Sequence, residues 1–248
     1  MILLIDWGNT QLKLLKCDSL SKQGVAEAKL ITVDGLESLA GLIDERFEAI
    51  LFSSVRNDRD NQQLSLLLEN KSDNIFVAQT GKENCGVTCA YENPASLGID
   101  RWLGILAVEK PSQSIGLISV GTAITLDVIE DKKHLGGHIL PGKQLMINSL
   151  LSTGQVRPEL NGLLGQSYLL GSSTSECVNY GVDACIESYL SCAMQSLHKT
   201  NGVKRWVFTG GGGNFWANRL ANKAINIAFE PLIVFEGLVK LYLDNQNK

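Results

Sequence analysis

The apolar and polar positions at the start of the chain follow first the period of a strand and then that of a helix. Residues 1–6 are an apolar run and residues 10–16 partly alternate, so the Gly8-Asn9 pair between them predicts a β-hairpin. Further apolar runs predict strands, and apolar residues at helical spacing predict helices. These are strands over 49–55 and 75–78, helices over 36–48, 61–70 and 99–110, and a loop over 80–97.

The same pattern begins again after Pro111. It predicts a strand, the turn Gly121-Thr122 and a second strand, followed by a mixture of helices and loops. The segments are strands over 115–120, 124–129 and 205–209, loops over 136–142 and 152–175, and helices over 143–151, 176–198, 214–221 and 230–242. When Gly8 is aligned on Gly121, both segments consist of an apolar strand, a small polar residue, a glycine turn and a second strand.

We interpret this repeat as an α/β protein built from two similar halves, 1–112 and 113–248, that face one another. Two unrelated hairpins would give the same pattern, because glycine turns are common. The repeat alone therefore leaves both interpretations open.

Composition and charge narrow the classes of function. Of the 248 residues, 44% are hydrophobic and 19% charged, and the net charge is −4 with an isoelectric point near 5.5. This acidic balance argues against nucleic-acid binding, which calls for a basic surface. The N-terminal apolar run is too short for a signal peptide, and no apolar stretch reaches the length of a membrane span. We therefore expect a cytoplasmic protein that does not bind membranes.

The six cysteines are most simply interpreted as free thiols, since disulfides are rare in long chains that are not exported. An alternative is a zinc site formed by Cys85-x3-Cys89 and His134-x3-His138. The spacing of these pairs is not that of a zinc finger, and His138 lies in a segment rich in glycine and proline.

The two glycine turns have the chemistry of phosphate binding. Glycine lets the backbone approach a ligand closely, and consecutive N–H groups in such a turn bind phosphate oxygens. Asp6, at the end of the first strand, is placed to bind Mg²⁺ directly or through water. Its alternative role is to cap the N–H groups of the turn. A Walker-type loop is absent from the sequence, and Gly210–Gly213 fits better as a backbone wall against a base or ribose, or as a plain loop.

Gly98-Ile99-Asp100-Arg101 stands where a predicted loop enters a helix. A carboxylate such as Asp100 can accept the proton of an alcohol that is being phosphorylated, and the planar guanidinium of Arg101 suits a carboxylate or phosphate. The alternative is an aspartate that only interacts with the positive end of the helix dipole, beside a solvated arginine.

These motifs together resemble the type III pantothenate kinases of the acetate/sugar kinase–Hsp70–actin superfamily. Five segments match in order along nearly the whole chain. They are Asp6-x-Gly8-Asn9-Thr10, Gly98-x-Asp100-Arg101, Gly121-Thr122-Ala123-x-Thr125-x-Asp127, Gly136-Gly137-x-Ile139-x-Pro141-Gly142 and Thr209-Gly210-Gly211. The resemblance implies two ribonuclease H-like (actin-like ATPase) halves, each a mixed five-stranded sheet with flanking helices.

The resemblance also implies a function: ATP-dependent phosphorylation of pantothenate to 4′-phosphopantothenate, the first step of coenzyme A synthesis, by a cytoplasmic homodimer that uses Mg²⁺. Asp100 would accept the proton, and Asp6 would face the metal. The implied ATP-binding residues are Asp6, Trp7, Gly8, Asn9, Thr10, Gln11, Leu12, Lys13 and Thr122. The implied pantothenate-binding residues are Tyr91, Gly98, Ile99, Asp100, Arg101 and Thr174.

Two alternatives remain at this point. One is another kinase of the superfamily that acts on a sugar or a short-chain acid. The other is a non-catalytic regulatory accessory factor, against which the intact Asp6, Asp100, Arg101 and Thr122 count. ATP consumption that depends on pantothenate distinguishes the three functions.

One departure from the family pattern predicts a weaker monovalent-cation requirement. Many members have aspartate two residues before the second glycine turn, where it helps to bind K⁺ or NH₄⁺, whereas this chain has Ser119. A neutral hydroxyl is a poorer cation ligand than a carboxylate, so we expect similar kinase activity with K⁺ and with a bulky organic cation. A strict requirement for K⁺ in the kinase assay would contradict this expectation.

Overall fold

The computed structural model describes residues 1–151, 168–221 and 226–247. The chain divides into two compact units, each made of segments that are separated in the sequence. The first contains Met1–Pro111, Ile129–Gly136 and the C-terminal segment from Leu232, and the second contains Ser112–Val128 and Gly137–Pro231. These units are not the same as the halves 1–112 and 113–248, whose identity as two actin-like ATPase halves stays a prediction.

The first unit is built on a five-stranded mixed sheet, as the resemblance implies. Strands β1 and β2 form the predicted hairpin, and β1 also pairs in parallel with β4. The strand order is β3-β2-β1-β4-β5, with β1 Ile2–Trp7, β2 Leu12–Cys17, β3 Ile31–Val33, β4 Ala49–Ser54 and β5 Ile75–Val77. Nearly every residue of β1 and β4 is buried, because helices cover both faces of these central strands.

One face of this sheet packs against the helices that precede and follow β4, α2 Leu36–Ala40 and α3 Asp58–Leu68, whose buried leucines share a core cluster with β1 and β4. The short helix α1 Lys22–Glu27 follows β2 and contacts α8 Ile233–Gln246, where Lys22 pairs with Glu236 at 2.9 Å. The predicted helix over 36–48 is wrong beyond Ala40, where Gly41 follows the helix. Leu39, Ile43 and Phe47 are nevertheless buried in one core cluster, so their helical spacing reflects burial rather than helix.

The other face is covered by two helices, α4 Ile99–Val108 and α8 Ile233–Gln246. Between β5 and α4 the predicted loop contains a small hairpin, β6 Glu83–Asn84 and β7 Val87–Thr88, and the single 3-10 turn Pro94–Ser96. Cys85 and Gly86 at its tip both have positive φ, which suits a two-residue hairpin turn. The side chain of Asp244 in α8 accepts a hydrogen bond from Cys85 N at 3.0 Å and so anchors this tip.

The second sheet has seven strands in the order β12-β11-β8-β9-β10-β7-β6. Its additional strands are β8 Ser114–Val120, β9 Ala123–Glu130, β10 Lys133–Pro141, β11 Arg205–Thr209 and β12 Asn226–Phe229. It thus has two more strands than the resemblance implies, both only two residues long. The predicted loop over 136–142 is wrong, because β10 continues to Pro141. Gly136 has a φ of +116°, which favours glycine, so the glycines of this segment mark a backbone conformation within the strand rather than a loop.

The helices of the second unit follow the predictions closely. They are α5 Lys143–Leu151, α6 Thr174–Asn201 and α7 Gly213–Leu220. The predicted irregular segment 152–175 lies largely outside the described residues. Trp206 is fully buried in the core of this unit and lies directly on Gly116, where a Cβ would overlap the indole ring. Among the described residues, no helix is long and apolar enough to cross a membrane.

The contact between α4 and α8 predicts a sharp difference between two glycine substitutions. A Cβ on Gly237 of α8 would overlap the backbone carbonyl of Leu103 in α4, which cannot move without moving the helix. Gly237→Ala should therefore lower the free energy of unfolding by about 3 kcal/mol, although alanine favours helix. Urea unfolding measures the change.

Gly181→Ala in α6 is the matched control, because a Cβ there meets nothing within 4 Å. This substitution should leave the free energy of unfolding unchanged or raise it by up to about 1 kcal/mol. Equal effects of the two substitutions would show that the α4–α8 contact is looser than described.

Candidate active site

A carboxylate stands at the carboxyl end of the central strand of the first unit. Asp6 is the penultimate residue of β1, opposite Lys13 of β2 and Ser53 of β4. Ser53 Oγ donates a hydrogen bond to Asp6 Oδ1 at 3.0 Å. Burial, and after it the negative charge of Asp100, raise the pKa of Asp6 to about 6, although Lys13 and the Ser53 hydrogen bond act in the opposite direction. Asp6 thus has the environment of a group that is stabilised by a bound cation or a proton.

The turn after Asp6 exposes backbone to solvent. Gly8 N donates to Gln11 O at 3.0 Å and so closes the four-residue loop between β1 and β2. Asn9, Thr10 and Gln11 are exposed, whereas the flanking Trp7 and Leu12 are buried. The predicted ATP-binding segment from Asp6 to Lys13 is therefore one hairpin whose ends are fixed in the core and whose tip is accessible.

The second predicted motif stands at the N-terminus of α4. Gly98 is the N-cap residue, and Asp100 lies in the first turn of the helix. A Cβ on Gly98 would lie 2.7 Å from Asp100 Oδ1, so glycine leaves the space into which the carboxylate folds. The charge of Asp100 contributes to the raised pKa of Asp6. The fold thus places the two carboxylates that the sequence singled out within electrostatic reach of one another, although they are far apart in the chain.

Arg101 and Tyr91, both predicted to bind the substrate, are in contact with one another. Arg101 is only 7% exposed, and its Nη1 donates to Tyr91 Oη at 3.1 Å, with the guanidinium 5.9 Å from the centre of the tyrosine ring. Ile99, which is also predicted to bind the substrate, is buried. A buried arginine at a helix N-terminus is a strong anchor for an anionic group.

Two residues outside the predicted ATP- and substrate-binding motifs support Tyr91. The ring of His134 stacks on the Tyr91 ring, with 6.2 Å between centroids and 19° between planes. Lys82 Nζ donates to the backbone carbonyls of Cys89 at 3.2 Å and Tyr91 at 3.1 Å. Neither residue belongs to a glycine motif, so nothing in the local pattern indicates these contacts. His134, which was considered for a zinc site, here packs against aromatic rings.

Within the part of the chain that the structure describes, no group of three or more His, Cys, Asp or Glu side chains could hold a metal ion. The cysteines are free thiols. Asp6 supplies hard oxygen donors of the kind that Mg²⁺ prefers, and the negative charge of Asp100 adds to the attraction for a cation. The donor chemistry therefore fits Mg²⁺ bound mainly through Asp6.

In the second unit, the other glycine turn is held by its neighbours. Gly121 N donates to Ala123 O at 3.0 Å, and Gly142 N donates to Thr122 O at 2.9 Å. A Cβ on Gly142 would overlap the carbonyl of Gly121, so the Pro141-Gly142 segment can pack on the turn only with glycine. The next residue, Lys143, forms an ion pair of 2.8 Å with the fully buried Asp183 of α6.

The remaining predicted positions of the second unit also have defined places. Gly210, with φ +82°, packs against the backbone of Val120, and Gly212 N donates to Val120 O at 2.9 Å. The Gly210–Gly213 run therefore packs against the carboxyl end of β8, and its contact with a base or ribose stays a prediction. Ser119 is in β8 opposite Thr209 of β11, and Thr174 is the first residue of α6.

Comparisons with known proteins agree on one family. A family model described as type III pantothenate kinase matches residues 2–192. The type III pantothenate kinase of Chromohalobacter salexigens is 31% identical over 243 residues, which cover 96% of this chain and 86% of that protein. The type III pantothenate kinase of Acinetobacter baumannii (strain ACICU) is 29% identical over 244 residues, covering 96% of this chain and 94% of that protein.

Solved structures support the fold. A conserved Baf family protein from Campylobacter jejuni aligns with a TM-score of 0.62 at 22% identity, over 99% of this chain and 100% of that chain. The ROK hexokinase from Thermus thermophilus aligns with a TM-score of 0.50 at 13% identity, over 98% and 99% of the two chains. With the two mixed sheets, these likenesses confirm the predicted actin-like α/β fold class. On the family match and the relatives, this chain belongs to the type III pantothenate kinase family.

Proposed function

We propose that this protein transfers the γ-phosphoryl group of ATP to the primary hydroxyl of pantothenate and forms 4′-phosphopantothenate, the first step of coenzyme A synthesis. The observation that carries the proposal is the electrostatic interaction of Asp100 with Asp6, together with the buried Arg101–Tyr91 contact that follows Asp100 in the chain. This arrangement combines a metal ligand, a proton acceptor and an anion anchor. It is found in a chain whose family model is that of a pantothenate kinase.

Asp100 is proposed as the proton acceptor. Phosphoryl transfer depends mainly on positioning and on neutralising charge, and a carboxylate at hydrogen-bond distance from the attacking hydroxyl removes its proton. Arg101 can pair with the carboxylate of pantothenate, while Tyr91 supplies a hydroxyl and a flat ring. Gly98, Ile99 and Thr174 are assigned to the same substrate on the resemblance alone.

The exposed turn Gly8–Gln11 is proposed to bind the phosphates of ATP through backbone N–H groups and the hydroxyl of Thr10, with the Lys13 ammonium nearby in sequence. Mg²⁺, when bound, would neutralise part of the phosphate charge. Asp6 would hold it. We assign Thr122 of the second unit to ATP as well, because it lies in the second predicted phosphate motif.

Use of K⁺ or NH₄⁺ is proposed to be weak because of Ser119. The protein is also proposed to act as a cytoplasmic homodimer.

A coupled assay of ADP formation tests the function directly. ADP should form only when both ATP and pantothenate are present, and mass spectrometry should find 4′-phosphopantothenate. Sugars and short-chain acids tested in place of pantothenate should give no turnover. ADP formation with one of these compounds and not with pantothenate would refute the proposed substrate.

Asp100→Asn should lower kcat for pantothenate phosphorylation by about a hundred-fold or more, because an amide cannot accept the proton. The KM for ATP should stay near the wild-type value, since the amide keeps the shape of the side chain. Steady-state kinetics with each substrate varied in turn measures both quantities.

Asp58→Asn is the matched control for this substitution. Asp58 occupies the first turn of α3 as Asp100 occupies the first turn of α4, but it is exposed and belongs to no proposed binding residue set. If Asp100 only interacted with the helix dipole, the two asparagine variants would lose similar, small amounts of stability and keep their activity.

The raised pKa of Asp6 predicts a stability that depends on pH in the protein without metal. Its pKa is about 6 in the folded state against an ordinary value of 3.8, so folding disfavours the carboxylate form of Asp6 at any pH above 3.8. Asp6→Asn should therefore make the protein more stable at pH 7 by roughly 3 kcal/mol, since one pKa unit corresponds to about 1.4 kcal/mol.

The difference should shrink as the pH falls through 6 and vanish below 3.8, where wild-type Asp6 is protonated in both states. Urea unfolding in EDTA at a series of pH values measures it. An asparagine variant that is less stable than the wild type at pH 7 would contradict the burial of a charged Asp6. The same variant should lose kinase activity, because the amide is a poor Mg²⁺ ligand.

A further inference from the structure

The chain that leaves β4 runs beside the exposed Gly8–Gln11 turn. The parallel pairing of β1 with β4 ends at Trp7 and Ser54, and Val55 N extends it with a hydrogen bond of 3.1 Å to Trp7 O. Arg56 therefore stands next to the turn that follows Trp7. Its own backbone is held on both sides, by Ser54 Oγ at 3.1 Å from Arg56 N and by Asn61 Nδ2 at 3.0 Å from Arg56 O.

The guanidinium of Arg56 is fixed in three directions. Its Nε donates to Asp60 Oδ2 at 2.8 Å, its Nη2 forms an ion pair with the same oxygen at 2.8 Å, and its Cζ lies 5.6 Å from the centre of the Trp7 ring. Asp60 is itself fixed in the first turn of α3, where its N–H donates to the capping side chain of Asn57 at 2.9 Å. An arginine held this way loses little further freedom when it makes another contact.

The remaining contact reaches the turn itself. Arg56 Nη1 donates to the backbone carbonyl of Asn9 at 3.0 Å. Because a trans peptide is planar and its C=O and N–H point in opposite directions, fixing the Asn9 carbonyl also fixes the direction of the Thr10 N–H. A glycine-containing turn has many alternative shapes, so one charge-assisted hydrogen bond at its tip restricts it strongly.

From these contacts we propose that Arg56 is a positioning residue for ATP. It holds the Asn9–Thr10 peptide so that the turn keeps one shape, and it does not itself bind the phosphates. The inference rests on the proposed function, because it requires that the Gly8–Gln11 turn binds ATP. The braced unit consists of Arg56, Asp60, Trp7 and the Asn9 carbonyl.

Two substitutions test whether Arg56 acts by its geometry or by its charge. Arg56→Lys keeps the positive charge but offers one nitrogen, which cannot reach Asp60 and the Asn9 carbonyl in the same fixed fork. Both Arg56→Lys and Arg56→Ala should raise the KM for ATP about ten-fold, the size of effect expected from losing a charge-assisted hydrogen bond. The KM for pantothenate, measured at saturating ATP, should stay within about two-fold of the wild-type value by the same reasoning.

Asp60→Asn is the second test, since it leaves Arg56 in place but weakens the ion pair that aims it. It should raise the KM for ATP in the same direction by a smaller factor. Arg46→Lys is the matched control: Arg46 pairs with Asp73 at 2.8 Å in an exposed bridge of the same unit, and none of the proposed binding residues is involved. Its kinetic constants should equal those of the wild type.

The outcomes separate the alternatives. A wild-type KM for ATP in Arg56→Lys, together with a raised one in Arg56→Ala, would show that Arg56 acts by charge alone and would overturn the positioning role. Unchanged KM values for ATP in both variants would overturn any role at this turn. Thermal unfolding of each variant is recorded beside the kinetics, and a KM change without a fall in Tm identifies positioning rather than loss of fold.

Failure of the proposed function would look different, because the wild type itself would form no ADP with pantothenate. In that case the turn is tested by direct binding of ATP with Mg²⁺, measured by calorimetry. Weaker ATP binding by Arg56→Lys than by the wild type would still support the positioning role, and equal binding would overturn it.

Discussion

The candidate site depends on keeping a charged Asp6 at the end of a buried sheet, within electrostatic reach of a second carboxylate. Burial and the Asp100 charge both disfavour ionisation of Asp6, and the Ser53 hydrogen bond and the Lys13 charge offset only part of that cost. Strand β1 holds Asp6, and helix α4 holds Asp100. The position of α4 depends in turn on α8, whose Gly237 lets the helices approach to backbone contact at Leu103.

The proposed binding groups have one structural feature in common. Each of them, the Asn9 carbonyl, Tyr91 and the Thr122 carbonyl, is held in place by a residue outside the motif to which it belongs. Arg56 and Asp60, in the segment that follows β4, fix the Asn9 carbonyl, and His134 and Lys82 fix the ring and backbone of Tyr91. In the second unit, the Pro141-Gly142 segment fixes the Thr122 carbonyl in the same way. Such bracing reduces the conformational entropy that a ligand would otherwise have to remove on binding.

The sequence predicted what short-range chemistry determines. The hairpin around Gly8, the helix beginning at Gly98 and most strands follow from apolar period and glycine turns, and the structure has them at nearly the predicted residues. The errors over 36–48 and 136–142 have a common cause: the pattern of residue types shows which positions are buried or conformationally special, but not which backbone conformation they adopt. Ile43 and Phe47 are buried at helical spacing without a helix, and the glycines around 136 lie in a strand.

The residues that support the binding groups could not be predicted from the sequence, for a different reason. Arg56 and His134 act through contacts between residues that are far apart in the chain, and the sequence shows no spacing that connects them to the motifs they support. Lys82 is close in sequence to the Cys89 and Tyr91 carbonyls that it contacts, but no recognisable motif joins them. The Ser53–Asp6 hydrogen bond depends on the parallel register of β1 and β4. Tyr91 and Arg101 were singled out only because the family resemblance assigns both to one substrate.

The two glycine turns also differ in what they cost the fold. At the first turn, Asp6 is a carboxylate whose pKa is raised by its surroundings, so the metal-free protein carries a destabilising charge there above pH 6. At the second turn, the corresponding residue is Ser119, a neutral hydroxyl beside Thr209, which imposes no such cost. A buried charge is tolerated where a bound cation can repay it, and sites that bind ligands commonly sacrifice stability in this way. The asymmetry therefore supports the proposal that a divalent metal binds at the first turn, while the second turn would contribute neutral hydrogen-bonding groups.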